Sequence, residues 1–424
     1  MNTRMTWAAA AGAAALLAAL YAWSDEPAIA PAARAAGAAP AQTLAEGRRI
    51  VALGDCMVCH TAADGRAYAG GLPLKTPFGT IYSTNITPDP ETGIGRWSQE
   101  AFRRAMRHGV SRDGHLLYPA FPYTHYTRMS DRDIGLAYAY LMSRPAVAST
   151  PPANALVFPL NFRPLLAFWN LLYLSPGRDT GAPENGATVA RGRYLVDTMG
   201  HCASCHSGLN LLGGERRPAF GGGDIDGWHA PALTSLARGA NPWTAAALAD
   251  YLQEGLAPGH GAAKGPMRPV TERLAEVPRD DVRAMAAYLM SIQKPAVAKA
   301  SAPAAAPAPS ATGGAKVAQG AALFAAACAS CHGASAPMTT VGHRPPLGRS
   351  SALLSDNPVN FIQTVQQGIP WRGGSAVYMP PYAATLDDEQ IASLAAYLRA
   401  GQPGLAAWRD VAARSASIRK ENTQ

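Results

Sequence analysis

Cys56-Met57-Val58-Cys59-His60 is the first of three copies of one motif, and the other two are Cys202-Ala203-Ser204-Cys205-His206 and Cys328-Ala329-Ser330-Cys331-His332. Each copy has two cysteines separated by two residues and followed at once by a histidine. Together the copies contain all 6 cysteines of the chain. Whatever chemistry the motif supports is therefore repeated three times and uses every thiol that the chain has.

The spacing within the motif suits the covalent attachment of haem. Two thiols one helical turn apart add to the two vinyl groups of one porphyrin, and the adjacent imidazole binds the iron. A zinc half-site would need a second ligand pair, and a thioredoxin-like redox pair would not be followed by His each time. The sequence predicts three covalently bound haem c groups, attached by Cys56, Cys59, Cys202, Cys205, Cys328 and Cys331, with His60, His206 and His332 as iron ligands.

Length and charge are consistent with three haem domains. The chain has 424 residues, which suggests about three domains, and its formal net charge is +8. Each haem brings two propionates, so roughly six negative charges would offset most of that excess. Nucleic-acid binding is therefore not predicted.

The N-terminal region contains a long uncharged stretch. Thr6–Trp23 has 18 residues without a charge and follows Arg4. As a helix it would be about 27 Å long, slightly short of a bilayer core but longer than the usual core of a signal peptide. The small residues Ala28-Ile29-Ala30 precede Pro31, which should hinder cleavage. Residues 1–36 are thus predicted to be an uncleaved anchor, with a cleaved signal peptide as the alternative, and both imply export.

A repeat extends beyond the motifs. Each unit begins with a helical segment that carries a glycine before the first cysteine, at Gly47, Gly192 and Gly320. Each unit ends with a related helix that carries an aromatic residue, at Tyr140, Tyr288 and Tyr397. A glycine lets the last helix cross the first closely, with the aromatic ring against the exposed backbone. This pattern resembles the class I cytochrome c fold.

The predicted fold class is therefore mainly α, with three tandem class I cytochrome c-like domains and an N-terminal hydrophobic helix. The predicted domains cover residues 42–150, 185–295 and 315–403. Residues 151–184 form an apolar connecting segment, 296–314 an Ala/Pro linker and 404–424 a C-terminal tail. Within the connecting segment, the apolar stretch 156–174 is interrupted by prolines. We expect this stretch to cover the seam between two domains, or to lie at the membrane or against a partner subunit.

The second axial ligands are predicted from the register of the repeat. Each unit has a glycine after a helical stretch, at Gly109, Gly255 and Gly368. Met267 lies 12 residues beyond its glycine and Met379 lies 11 beyond. A lone Met is more often a packing residue, but the shared register favours ligation. Met267 is assigned to the second haem and Met379 to the third.

The first unit departs from this register. The position 12 residues after Gly109 is Phe121, which cannot bind iron. His125 lies four residues further on, and Met129 four residues after that. His125 is the predicted sixth ligand of the first haem, with Met129 and an open iron as alternatives.

Further motifs make the resemblance specific: Thr76-Pro77-Phe78-Gly79, Asn85-Ile86-Thr87-Pro88-Asp89, Gly93-Ile94-Gly95-Arg96-Trp97 and Gly265-Pro266-Met267. With these, nearly the whole chain resembles the triple-haem cytochrome c subunit of bacterial membrane-associated periplasmic dehydrogenases. The resemblance implies a catalytic dehydrogenase partner and a location at the periplasmic face of the inner membrane. It also implies delivery of electrons to membrane quinone or another respiratory acceptor.

Two branches of partner are implied. One contains flavin or quinone-cofactor dehydrogenases for alcohols, sugars and sugar acids, whose cytochromes usually have Met at the position of Phe121. The other contains molybdenum hydroxylases with iron–sulfur subunits, which oxidise aldehydes or N-heterocycles such as nicotinate and isoquinoline. The Phe121-Pro122-Tyr123 loop with His125, together with residues 158–163 and 169–170, is more similar to the molybdenum branch.

The predicted function is electron relay, in which the chain itself breaks no substrate bond. The alternative is a multihaem peroxidase-like enzyme that uses an open first haem to cleave an O–O bond. The two hypotheses differ in the first haem, which is six-coordinate and low-spin in a relay.

Overall fold

The computed structural model describes residues 26–32, 39–62, 65–177, 187–238, 241–294, 311–337, 347–370, 378–402 and 404–422. The chain divides into two compact units, Met1–Ser204 and Cys205–Gln424. Helices form most of the regular structure in both, as predicted for cytochrome c domains.

The first unit is built from helices and one small sheet. Its helices are α1 (Ala41–Leu53), α2 (Cys56–Cys59), α3 (Gln99–His108), α4 (Tyr123–Tyr126), α5 (Asp131–Met142), α6 (Leu165–Tyr173) and α7 (Ala187–Arg193), which continues into a π-helical turn, Tyr194–Met199. The strands β1 (Pro73–Thr76), β2 (Gly79–Tyr82) and β3 (Ala155–Leu156) form an antiparallel sheet in that order. Helix α8 (Ala203–His206) belongs to the second motif.

The predicted glycine crossing between the first and last helices of a domain is confirmed in this unit. Helix α1 packs against α5, and a Cβ on Gly47 would lie 2.2 Å from the carbonyl oxygen of Leu136 and 2.8 Å from Cβ of Tyr140. Only a residue without a side chain permits this approach. The contact fixes α1, and with it the motif that follows, against the closing helix.

Local capping explains where two of these helices begin. The Ser98 hydroxyl accepts a hydrogen bond from the backbone N–H of Ala101 at the start of α3, and the Ser130 hydroxyl accepts one from Asp133 at the start of α5. Helix α3 ends at Gly109, whose φ of 64° is in the left-handed region. This is the glycine from which the ligand register was counted.

The second unit has more and longer helices. They are α9 (Ala245–Glu254), α10 (Met267–Leu274), α11 (Arg279–Ser291), α12 (Ala311–Ala327), α13 (Ala329–His332), α14 (Ser351–Leu354), α15 (Val359–Gln367), α16 (Asp388–Ala400) and α17 (Val411–Asn422), with 3₁₀ turns at Leu233–Ser235 and Leu347–Arg349. Its strands form two hairpins, β4 (Gly223–Ile225) with β5 (Trp228–Ala230) and β6 (Leu256–Ala257) with β7 (Gly261–Ala262).

Helices α12 and α16 repeat the glycine crossing. A Cβ on Gly320 would lie 2.0 Å from the carbonyl oxygen of Ser393 and 2.7 Å from Cβ of Tyr397. Helix α16 starts with a reciprocal cap between Asp387 and Gln390. The predicted crossing is therefore confirmed twice.

Three predicted segments contain regular secondary structure. Helix α12 begins at Ala311, so the end of the predicted linker 296–314 is helical. The predicted tail 404–424 contains α17, whose Val411 and Ile418 belong to the apolar core around α15 and α16. In the predicted connecting segment 151–184, β3 pairs with β2 and α6 packs on the first domain. The last two segments gain backbone hydrogen bonds or apolar burial from the domains beside them.

The predicted N-terminal hydrophobic helix falls on residues 1–25, outside the described residues, as does most of the linker. Residues 26–32 lie along the first domain, with backbone bonds from Glu26 N–H to Gly114 and from Ile29 N–H to Arg112. Across the described ranges, no helix combines the length and apolar character needed to cross a membrane.

Candidate haem-binding sites

Each Cys-x-x-Cys-His motif lies on a short helix, which places its functional side chains within about one turn. These helices are α2, α8 and α13, and the six cysteines form no disulfide bond. Within the described part of the chain, no group of three or more His, Cys, Asp or Glu side chains is arranged to hold a metal ion. Because two thiols one helical turn apart can reach both vinyl groups of one porphyrin, the motif geometry suits haem attachment, in which each thiol becomes a neutral thioether.

Burial favours uncharged sulfur at the first motif. Desolvation, followed by the neighbouring Asp55 carboxylate, raises the pKa of the Cys56 thiol to about 12. A thiol that resists ionisation is a poor zinc ligand, because zinc binds thiolate. It is compatible with a thioether bond.

Backbone carbonyls hold the imidazoles of the first two motifs. Nδ1 of His60 lies 2.6 Å from the carbonyl oxygen of Thr84, and Nδ1 of His206 lies 2.7 Å from that of Pro231. An N–H donated by Nδ1 fixes the ring and leaves Nε2 as the atom that can bind iron. Desolvation lowers the pKa of both histidines, which keeps the imidazoles neutral and able to ligate. The same effect lowers the pKa of His332.

A cavity lies at the third motif. Cys328, His332 and Met379 all line it, and most of its other walls are apolar. The residues present fit a haem, because the cavity joins an attachment cysteine, a proximal histidine and the predicted thioether ligand.

The position of Met379 depends on Gly368. The backbones of Ile369 and Met379 exchange two hydrogen bonds of 2.8 and 2.9 Å. Gly368 has a φ of 67°, and a Cβ there would lie 2.3 Å from the carbonyl oxygen of Met379. The glycine that ends α15 therefore lets the loop with Met379 fold back against the helix. The register used to predict Met379 has this physical basis.

At the second motif, one segment contacts both the motif histidine and the loop that precedes Met267. Pro231, which accepts from His206, directly follows β5. The Trp228 ring in β5 packs on Gly265, where a Cβ would lie 2.4 Å from the indole. Gly265 is two residues before Met267, the first residue of α10. Residues 228–231 thus connect the proximal histidine to the loop of the predicted methionine ligand.

At the first motif, helix α4 carries His125 close to the attachment helix. The Tyr126 hydroxyl donates a 2.8 Å hydrogen bond to the carbonyl oxygen of Gly54, two residues before Cys56. Nδ1 of His125 lies 2.7 Å from the carbonyl oxygen of Asp197. This is the same carbonyl support that His60 and His206 have, and it is typical of ligating histidines. Assignment of His125 as the sixth ligand stays a prediction.

Phe121 and Met129 lie in the same loop as His125. The Phe121 ring lies 5.6 Å from that of Tyr126, between centroids. Met129 is 1% exposed, and its carbonyl oxygen accepts a 2.6 Å hydrogen bond from Arg107. Burial of this kind suits an apolar core residue and a haem ligand alike, so Met129 stays the predicted alternative to His125.

Within the first unit, His201 contacts the segment that precedes the first motif. Nε2 of His201, the residue before Cys202, lies 3.3 Å from the carbonyl oxygen of Gly54. The His201 ring also packs edge-on against Tyr126, with centroids 5.6 Å apart. The start of the second motif therefore lies beside the start of the first. His201 had no signal in the sequence, since it lies outside the repeated pattern.

Lys264 is a further residue that the sequence pattern did not indicate. It lines the cavity of the third motif but belongs to the loop that leads to Met267. Desolvation lowers its pKa from the ordinary 10.5 to about 8. One short loop thus carries the predicted ligand of the second haem and a wall of the third site.

Comparison with known families agrees with this geometry. A model of the cytochrome c family matches residues 189–293. A model of cbb3-type cytochrome c oxidase subunit III matches residues 315–398. These two matches contain the second and third motifs.

Several curated proteins are similar along most of the chain. A nicotinate dehydrogenase subunit of Pseudomonas putida is 46% identical over 391 residues, which is 90% of this chain and 32% of that protein, so the chain spans about a third of its length. The cytochrome c subunit of the quinone-type alcohol dehydrogenase of Komagataeibacter europaeus is 35% identical, over 86% of this chain and 83% of that subunit. The gluconate 2-dehydrogenase cytochrome c subunit of Pantoea cypripedii is also 35% identical, over 89% of both.

Proposed function

Because the chain belongs to the cytochrome c subunits of dehydrogenase complexes, we propose that it relays electrons through three haem c groups from a catalytic subunit to membrane quinone. Family membership implies covalently bound haem and electron transfer. The count of three rests on three complete attachment motifs. The observation that carries the proposal is the cavity shared by His332 and Met379, since an iron bound on both sides changes charge without binding substrate.

In this relay, the residues of the chain would hold each haem in place and shield it from water. Each bound haem supplies a one-electron couple. Cysteines attach it at two points, and carbonyl-supported imidazoles such as His60 and His206 have fixed ring orientations. Apolar walls, such as Leu353 and Phe361 at the third site, exclude water. A rigid, dry shell limits the rearrangement that accompanies each change of charge.

The contacts within each unit support the order first, second, third haem. In the first unit, His201 joins the second motif to Gly54 beside the first. In the second unit, the loop from Lys264 to Met267 serves the second haem and lines the third site. Bis-histidine ligation by His60 and His125 would give the first haem a lower potential than methionine-ligated haems. Electrons entering at the first haem would then move towards higher potential.

We assign the partner to the molybdenum branch, with iron–sulfur centres and an aldehyde or N-heterocycle as substrate class. The support is the 46% identity to a nicotinate dehydrogenase subunit and the Phe121 loop with His125. A flavin or quinone-cofactor dehydrogenase is the alternative, since alcohol and gluconate dehydrogenase cytochromes are 35% identical.

The proposed location is the periplasmic face of the bacterial inner membrane, held by an uncleaved N-terminal anchor. The uncharged run Thr6–Trp23 supports an anchor. Glu26 and Ile29 follow the uncharged run, and their backbone hydrogen bonds to the first domain favour retention of this segment in the mature chain.

The test uses the complex purified through a tag on this chain. We expect molybdenum and iron in the preparation, three haems per chain by mass, and haem reduction on addition of nicotinate or an aromatic aldehyde. A ubiquinone analogue should then reoxidise the haems. Haems that stay oxidised with both substrate classes, while the preparation consumes peroxide, would refute the relay and support the peroxidase-like alternative. Flavin in place of molybdenum would overturn only the choice of branch.

A further inference from the structure

An exposed apolar surface lies on the segment between the first two predicted domains. Its members are large apolar side chains that all face solvent: Val157, Phe158, Leu160, Phe162, Phe168, Leu171 and Leu172. Phe158 is 84% exposed and Leu171 is 66% exposed. Soluble monomers rarely expose so many large apolar groups in one place. We refer to these seven residues as the apolar surface.

The opposite side of the same segment is firmly attached to the first domain. Leu166 and Ala167 of α6 belong to a buried cluster with Val110 and Leu116. The Tyr123 hydroxyl donates a 2.6 Å hydrogen bond to the side-chain oxygen of Asn170. Since one face of α6 is fixed in this way, the apolar surface is presented in a defined orientation and is not a loosely packed core.

Charge is nearly absent from this segment. Between residues 151 and 176 the only charged side chain is Arg163, and its guanidinium donates a 2.7 Å hydrogen bond to the carbonyl oxygen of Leu116. No carboxylate is present to repel anionic lipid headgroups. Trp169 and Tyr173, whose ring centroids are 4.8 Å apart, add residue types that favour the membrane interface.

The apolar surface lies near the point where the N-terminal run joins the first domain. The Glu26 N–H donates a 3.3 Å hydrogen bond to the carbonyl oxygen of Gly114, two residues from Leu116 in the buried cluster under α6. Trp23, the last residue of the uncharged run, is three residues before Glu26. An anchored chain would therefore hold this end of the first unit at the bilayer.

We propose that the apolar surface inserts into the interfacial layer of the lipid bilayer as a second membrane contact. This proposal rests on the proposed function in one respect only, because both the proposal and the proposed function place the chain at a membrane. Helix α6 has 9 residues, and its length of about 14 Å is too short to span a bilayer. A short helix with an outward apolar face and interfacial aromatics lies in the plane of the interface.

Photocrosslinking from a single introduced cysteine tests this proposal. The native cysteines carry haem, so Leu171→Cys can be labelled selectively with a benzophenone maleimide. Leu211→Cys is the matched control, because Leu211 is 96% exposed and lies in the second unit. Inner membranes that contain the full complex are irradiated, and adducts are identified by mass spectrometry. We expect lipid adducts from the label at position 171 and none from position 211.

Two outcomes would overturn the proposal. A protein adduct at position 171, to a catalytic subunit or a second copy, would make the apolar surface a protein interface. Lipid adducts at position 171 that are absent, or no more frequent than at position 211, would show that the apolar surface does not insert into lipid. Both substituted residues are exposed, so unchanged haem absorption is expected and serves as the folding control. Haem reduction by substrate in the same samples tests the relay separately.

Discussion

Replacement of Gly320 by alanine should destabilise the third domain because the crossing of α12 and α16 has no room for a side chain. The new Cβ would lie 2.0 Å from the carbonyl oxygen of Ser393 and 2.7 Å from Cβ of Tyr397. The first contact is with backbone, which no rotamer change can relieve, so the helices must move apart. Overpacking of this kind costs about 3 kcal/mol, and the gain in helix propensity offsets about 1 kcal/mol.

The net loss should be about 2 kcal/mol, a roughly thirtyfold rise in the unfolded fraction of that domain. Gly314→Ala is the matched control in the same helix, since Gly314 is exposed and a Cβ there meets nothing within 4 Å. It should stabilise the helix by up to about 1 kcal/mol. Guanidinium titrations followed by circular dichroism and haem absorption measure both shifts. Midpoints that move in the same direction for both variants would refute the close crossing.

Three further predictions concern single side chains. Lys264→Met should lower the reduction potential of the third haem, because a cation in the cavity wall disfavours ferric iron. The expected shift is up to about 60 mV, which is a tenfold change in the one-electron equilibrium. An unchanged potential in a redox titration would contradict this. Asn85→Ala should cost about 2 kcal/mol in thermal unfolding, since the 3% exposed amide donates to Val147 and accepts from Thr87, and a wild-type melting temperature would exclude that role. Met379→Ala should convert only the third haem to high spin by EPR, and three remaining low-spin signals would rule out ligation by this residue.

Much of the haem-domain architecture could be predicted from local sequence. The motif fixes chemistry within five residues, and the glycine crossings at Gly47 and Gly320 follow from a repeated spacing. These features need no knowledge of distant contacts. The matches of cytochrome c models to residues 189–293 and 315–398 confirm cytochrome c domains at the second and third motifs.

Helix α17 is an element that the sequence pattern did not indicate. Of its 12 residues only Val411, Ser415 and Ile418 are buried, so its apolar pattern is too sparse to distinguish it from a polar tail. Its stability comes from distant partners. The Ser415 hydroxyl donates to Asp388, and the Gln366 side chain donates to Ser415. Such contacts become visible only when the domain is folded.

The carbonyls that support the ligands were also beyond prediction. Thr84 lies 24 residues from His60, and Pro231 lies 25 residues from His206. Backbone acceptors carry no side-chain signature, so no motif identifies them. Lys264 was missed for a related reason, because its role depends on the proximity of one domain's loop to another domain's cavity.

The central claim is that all three haems are six-coordinate relay centres. Low-temperature EPR during a redox titration of the purified chain tests this claim most directly. Wild type is compared with His125→Ala and with Met129→Ala as the control from the same loop. The relay predicts three low-spin ferric signals in wild type, with one converted to high spin by His125→Ala alone. A high-spin signal already present in wild type, and altered by peroxide, would contradict the relay and indicate an open catalytic haem.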